Sequence, residues 1–280
     1  MTDFSRFLIA TDLDGTFAYH SRLIERNLSA LKRFCEGGGI FTINTGRAHL
    51  NMRSAIGEPT ALINAPAICD NGAYLYDFST KESLQQDLLR ASDAKELLDF
   101  AKRYFSDVRF SACAVSQIRS EENAGCVARD MPTYEKEAVS ICPADTWPLD
   151  DWYKLIFLDD RAERLQELRE ALLLHFGDRF APTGSSTWIL EVQYPGVNKA
   201  LGLTKLKKQI DGIEKRTVIA CGDFDNDLEM LQAADVAVCP ENALDKVKEV
   251  ADHVLCHCEK GLIADVIEAI ENGIITPKTV

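Results

Sequence analysis

No stretch of this chain reaches the eighteen or so apolar residues that a membrane span requires, and no basic segment followed by an apolar one opens it. Internal repeats and low-complexity tracts are also missing. So is any surplus of basic residues: 31 Lys and Arg against 44 Asp and Glu leave a formal net charge of −13. That balance excludes general affinity for nucleic acid or anionic membranes, while a local cation and one lysine can still hold a phosphorylated small molecule. The nine cysteines include no CxxC pair and no regular spacing, so reduced thiols and a cytoplasmic location are the default expectation. His253, Cys256, His257 and Cys258 lie within six residues. Zinc would need a second ligand pair at a suitable spacing, and Val254-Leu255-Cys256 reads as a short buried strand instead.

What is present is ordinary in bulk and ordered in detail. With 280 residues, 46% of them hydrophobic, the chain can bury a sizeable core and is expected to divide in two. Strand and helix alternate at the start: Phe7 to Thr11 reads as a strand, Ile24 to Cys35 as a helix ended by Gly37-Gly38-Gly39, and Ile40 to Asn44 as a strand followed by a helix from about Arg47. Tyr74 to Tyr76 and Ser83 to Leu88 read as a hairpin. From about residue 87 the pattern changes. Helices are expected over Ala91 to Phe105 and Ala162 to Phe176, and strands over Val108 to Val115, Trp152 to Leu158 and Thr187 to Val192. Pro132, Pro143 and Pro148 argue against long regular elements between Ser120 and Leu149. After Pro195 the alternation resumes, with Asn198 as a cap for a helix from Lys199 and a strand over Thr217 to Cys221. The expected architecture is a doubly wound, Rossmann-like α/β core (residues 1–86 and 195–280) interrupted by an inserted α+β unit (residues 87–194).

Four segments carry chemistry. Asp12-Leu13-Asp14-Gly15-Thr16 follows Phe7 to Thr11, and Thr45-Gly46-Arg47 follows Ile40 to Asn44. Lys199 lies in Gly196-Val197-Asn198-Lys199, and Gly222-Asp223-Phe224-Asp225-Asn226-Asp227 follows Val218 to Cys221. Each alone has a plain explanation as a turn, a helix cap or a solvated surface residue. In a parallel sheet, however, strand carboxyl ends share one edge, so three of them should meet there. Asp12, Asp14 and Asp223 would then offer oxygens to a hard cation such as Mg²⁺, with Asn226 and Asp227 completing or bracing the shell. A carboxylate so placed can attack phosphorus, Thr45 and neighbouring N–H groups can hold phosphoryl oxygens, Lys199 can offset charge, and a second aspartate can carry the proton.

These segments resemble the motifs of the haloacid dehalogenase-like hydrolase superfamily, specifically its Cof-type phosphatases with a large C2 (type IIB) cap. Asn71-Gly72-Ala73 and Asn242-Ala243 also look like that family's loop and late Asn-Ala pair. The similarity covers both core segments; the inserted unit matches only in layout. It implies Asp12 as nucleophile and metal ligand, and Asp14 as general acid/base with its carbonyl on Mg²⁺. It further implies Thr45, Gly46 and Lys199 as phosphate-binding, Asp223, Asn226 and Asp227 as metal-binding, and Asn71 and Gly72 as a substrate loop. Departures are Ala200 after the lysine, Asn44 before Thr45, and Cys239-Pro240-Glu241 before Asn242. The implied activity is Mg²⁺-dependent hydrolysis of phosphomonoesters of small metabolites, with sugar phosphates the expected class. A phosphomutase using the same phosphoenzyme and a catalytically idle metabolite-binding protein are the alternatives. No nucleic-acid or membrane partner is expected, and the chain is read as a monomer or homodimer. Arg119, Trp147, Trp152 and a Thr183-Gly184-Ser185 turn are the candidates for substrate selection in the inserted unit.

Overall fold

Apolar runs too short for helices and lacking polar alternation become strands covered on both faces. In the computed structural model, which describes residues 2–20, 22–121 and 138–278, five such runs form one parallel sheet. Thr217–Cys221 is central, with Phe7–Thr11 and then Ile40–Ile43 on one side, and Val236–Pro240 and then His253–Leu255 on the other. Phe7–Thr11 and Thr217–Cys221 are buried along their whole length. Chain order and sheet order differ, which is the doubly wound pattern expected from the sequence. Helices Glu25–Glu36 and Leu262–Glu271 pack side by side, joined at their exposed faces by Arg26 to Asp265 (2.5 Å) and Glu268 (2.7 Å). Among the described residues no helix is long and apolar enough to cross a membrane.

The chain forms two units, one of residues 1–85 and 198–280 and the other of residues 86–197. Within the second, strands Arg109–Ala114, Trp152–Leu158, Ile189–Gln193 and Ala181–Ser186 pair antiparallel, with Ile118–Ser120 and Val139–Ile141 beyond them. Helices Ala91–Tyr104 and Ala162–Phe176 supply Leu97, Leu98, Leu168 and Leu172 to a core shared with Phe110, Leu155 and Phe157. Pro132, around which no long element is expected, lies outside the described residues.

Three local expectations change. No helix starts at Arg47: Ala48 is extended and the Arg47 N–H is engaged by the Thr45 hydroxyl (3.1 Å), so a 3₁₀ turn begins only at His49 and an α-helix spans just Met52–Ile56. Thr183-Gly184-Ser185 is no turn but part of strand Ala181–Ser186; Thr187 and Trp188 make the turn instead, so the next strand starts at Ile189. The second hairpin strand stops at Leu84 because Gln85 takes a positive φ of 51°.

The loop Asp70–Gly72 is the tightest point of the first unit. Its three residues have φ of 47°, 54° and 88°, and the first two lack the glycine that makes such angles cheap; each costs on the order of 1 kcal/mol. Gly72 is sterically required, since a Cβ there would sit 2.1 Å from Asn198 O. Gly72→Ala is therefore expected to destabilise the protein by about 2 kcal/mol or more, read as a lower urea midpoint with an unchanged slope. Wild-type stability in that variant would show that the loop relaxes freely.

Candidate active site

Register decides which residues meet. Thr11 is level with Cys221 on one side and Ile43 on the other, so the residues after all three leave the sheet at one edge. Asp12 N donates to Cys221 O and Asn44 N to Thr11 O, both at 2.8 Å, which extends the ladder by a step. Lys199 arrives from a distant segment. Asn198 caps helix Lys199–Lys207 by accepting from Leu201 N (2.9 Å), and the buried Asn44 amide donates to Lys199 O (2.9 Å). The fully buried ammonium then donates to Asp12 Oδ1 at 2.5 Å and Asp227 Oδ1 at 2.6 Å. The other Asp227 oxygen accepts from Asp223 N and Phe224 N at 2.9 and 3.0 Å, folding the acidic loop around its own side chain. Carboxylate oxygens of Asp12, Asp223 and Asp227 come within 4.8 Å of one another.

The remaining residues frame this cluster. The Thr16 hydroxyl donates to Asp223 Oδ1 at 2.6 Å. Gly15, at φ 90°, lies so close that a Cβ would fall 2.5 Å from Asp223 Oδ2, and Asn242 Nδ2 holds the Gly15 carbonyl at 2.8 Å. Asp14 turns away from Asp12: its half-exposed carboxylate takes two hydrogen bonds from Arg47, at 2.6 and 2.8 Å. Thr45 is buried, its N–H on Ile68 O and its carbonyl accepting from Asn71 N. Asn226 donates to Asn71 Oδ1 at 3.0 Å, so the Asn71 loop braces the acidic loop. Asp225 pairs with Lys246 at 2.6 Å. In the inserted unit, Arg119 forms a bidentate pair with Asp151 (2.6 Å twice), while Trp147 and Trp152 pack edge to face in the core. Thr16 and Arg47 escaped sequence reasoning as partners of the acids; Thr16 lay inside a segment already singled out, whereas Arg47 gave no signal beyond adjacency to Thr45.

Charge decides what such a site can hold. Burial pushes the Asp223 carboxyl up to about 7, with repulsion from Asp227 adding to it. Burial also opposes the Lys199 charge, but Asp12 and Asp227 outweigh it and keep the ammonium above the ordinary lysine value. Arg47 and Asp14 neutralise each other. With all three carboxylates ionised, they face one ammonium and leave two negative charges unmatched. A divalent, oxygen-preferring cation fits that donor set and that deficit.

The geometry agrees with the comparisons to known proteins. A family model described as haloacid dehalogenase-like hydrolase matches residues 9–267. The chain is 26% identical to 5-amino-6-(5-phospho-D-ribitylamino)uracil phosphatase YwtE of Bacillus subtilis, over 95% of this chain and 98% of the relative. It is 30% identical to HMP-PP phosphatase of Escherichia fergusonii, over 92% of this chain and 93% of the relative. Among solved structures, a HAD/COF-like hydrolase from Plasmodium vivax superposes with a TM-score of 0.84 at 21% identity, covering 95% of each chain.

Unmatched negative charge at this site has a measurable consequence. Mg²⁺ is expected to raise the unfolding temperature, by the equivalent of about 2.7 kcal/mol at a hundredfold excess over its dissociation constant. Asp223→Asn removes one of the repelling carboxylates. The metal-free variant is therefore expected to melt at or above the metal-free wild type near pH 8, where Asp223 is ionised, and to lose the Mg²⁺ response. An undiminished Mg²⁺ shift in that variant would place the cation elsewhere.

Proposed function

The chain belongs to the haloacid dehalogenase-like hydrolase family as a Cof-type phosphoric monoester hydrolase, and we propose that it cleaves phosphate from small sugar-phosphate-like metabolites through an aspartyl-phosphate on Asp12. The observation that carries the proposal is the Lys199 ammonium at 2.5 Å from Asp12, among two buried carboxylates, Asp12 and Asp227, and the half-buried Asp223. A binding protein has no use for so costly a cluster.

Each step then has a group to perform it. Asp12, Asp223 and Asp227 would hold Mg²⁺, with the Asp14 carbonyl and Asn226 completing or supporting the shell; the ion would offset the negative charge of an incoming phosphoryl group. The Thr45 hydroxyl and the Gly46 N–H bind phosphoryl oxygens, and Lys199 neutralises charge beside Asp12. An Asp12 oxygen attacks phosphorus, forming the acyl phosphate as the bond to the leaving oxygen breaks. Asp14 gives that oxygen its proton, then takes one from the water that attacks the acyl phosphate and releases inorganic phosphate. Because Arg47 grips both Asp14 oxygens, Asp14 has to leave this pair before it carries a proton. The inserted unit, residues 86–197, selects the alcohol. A sugar-like alcohol is favoured because the relative YwtE is named for a phospho-D-ribityl compound.

Asp12→Asn keeps shape and hydrogen bonding while removing the nucleophile. Its kcat is expected to fall by about a thousandfold or more with the circular dichroism spectrum unchanged; retained turnover removes Asp12 from the chemistry. Wild-type enzyme with Mg²⁺ is expected to release one inorganic phosphate per sugar phosphate consumed. An isomeric phosphoester without free phosphate would make the enzyme a phosphomutase.

A further inference from the structure

One buried cation takes no part in the chemistry above. Lys205 lies on helix Lys199–Lys207, is 8% exposed, and donates to Gly72 O at 2.9 Å, Ala73 O at 3.2 Å and Gln85 O at 3.0 Å. Burying a lysine is expensive, and an apolar side chain would fill the space at less expense. The carbonyls it holds are informative. Gly72 and Ala73 end the strained loop, whose other side is fixed to the phosphate turn by Asp70 N on Arg47 O and Asn71 N on Thr45 O, both at 3.0 Å. Gln85 is the last residue of the first unit before the chain enters the second, and it too holds a positive φ, 51°, without being glycine. The chain re-enters the first unit at Asn198, whose carbonyl leaves no room for a Cβ at Gly72. The exit at Gln85 is thus tied to this loop through Lys205, and the re-entry at Asn198 lies against it.

We propose that Lys205 is a positioning residue that couples the crossing at Gln85 to the Thr45–Arg47 turn through the loop Asp70–Ala73. This rests on the reading of Thr45 and Gly46 as phosphate-binding. Phosphate held by that turn fixes the carbonyls of Thr45 and Arg47, these fix the amides of Asn71 and Asp70, and Lys205 passes the constraint to Gln85. By reciprocity, whatever orders Gln85 favours phosphate binding.

Hydrogen exchange and steady-state kinetics on the full-length enzyme test this. In the wild type with Mg²⁺, inorganic phosphate is expected to protect peptides covering 70–75 and 84–88 together. Lys205→Met keeps the unbranched apolar stem, one atom shorter, without the donor. It is expected to lose the protection at 84–88 and to raise the phosphate inhibition constant and KM about tenfold. That rise should be equal for p-nitrophenyl phosphate and sugar phosphates, with kcat changed less than twofold. Lys205→Arg, which keeps a donor, is expected to recover part of the affinity. Protection of 70–75 alone in the wild type overturns the proposal even if the methionine variant does not fold, and so does a folded variant with wild-type phosphate inhibition. Wild-type enzyme that neither responds to phosphate nor releases it overturns the phosphatase reading, and the positioning role with it.

Discussion

The contact on which the rest of this structure depends is the bridge from Lys199 to Asp12 and Asp227. Three strands of chain, separated by up to 215 residues of sequence, are brought within hydrogen-bond distance by one ammonium that has no access to water. A buried ion pair contributes little net stability, because desolvation offsets most of the attraction, yet losing one member is severe. The bridge therefore specifies rather than stabilises. With Lys199 in place, Asp12 and Asp227 can lie close together. Without it, the acidic loop after Thr217–Cys221 and the turn after Phe7–Thr11 would repel at the same sheet edge.

The sheet pre-sets this meeting at small expense. Parallel pairing of Phe7–Thr11 with both neighbours aligns the three carboxyl ends, and burial of their side chains fixes the register. A slip of one residue would turn Thr11 and Asp12 to opposite faces. The surrounding loops then absorb the strain that the rigid sheet does not: Gly15 at φ 90° beside Asp223, and Asp70 to Gly72 beneath Thr45. Strain of this kind persists only where neighbours over-determine it. Here Asn242 on Gly15, Asn226 on Asn71 and Lys205 on Gly72 supply that determination.

Much of this was legible in the sequence, for a physical reason. Strand ends in an α/β sheet are where polar residues must appear, so Asp12, Thr45 and Asp223 announce themselves as charged or hydroxyl residues directly after apolar runs. The fold class and the family resemblance both follow from those positions, and the match over residues 9–267 agrees with them. What the sequence hid depends on long-range geometry. Arg47 reads as a helix residue, but its pairing with Asp14 and the extended Ala48 push the helix back to Met52. Lys205 reads as one more lysine on a helix rich in them, and nothing local marks it as buried. Asn242 carries a motif signal without a reason until its amide is found on Gly15. In the inserted unit, composition does not separate Trp147 and Trp152, which are core, from side chains that meet a ligand.

Helix Lys199–Lys207 shows how these levels join. Its first residue supplies the ammonium among the carboxylates, and its seventh supplies the one beneath the loop, roughly 9 Å farther along the axis at 1.5 Å per residue. A helix is stiff over so short a distance, so two buried charges on one rod fix two loops relative to each other. The acidic loop is bound at the amino end and the strained loop near the carboxyl end, with Asn226 to Asn71 closing the frame between them. Gly202, midway, lets the rod approach: a Cβ there would lie 2.2 Å from Ile68 Cγ2 and 2.8 Å from Gly72 Cα. A larger residue would lift the helix and withdraw both lysines at once. The acidic cluster and the strained loop therefore share one mechanical element. Lys199 is thus placed among the acids by the backbone of this helix, and only the charge it leaves unmatched falls to a cation from solvent.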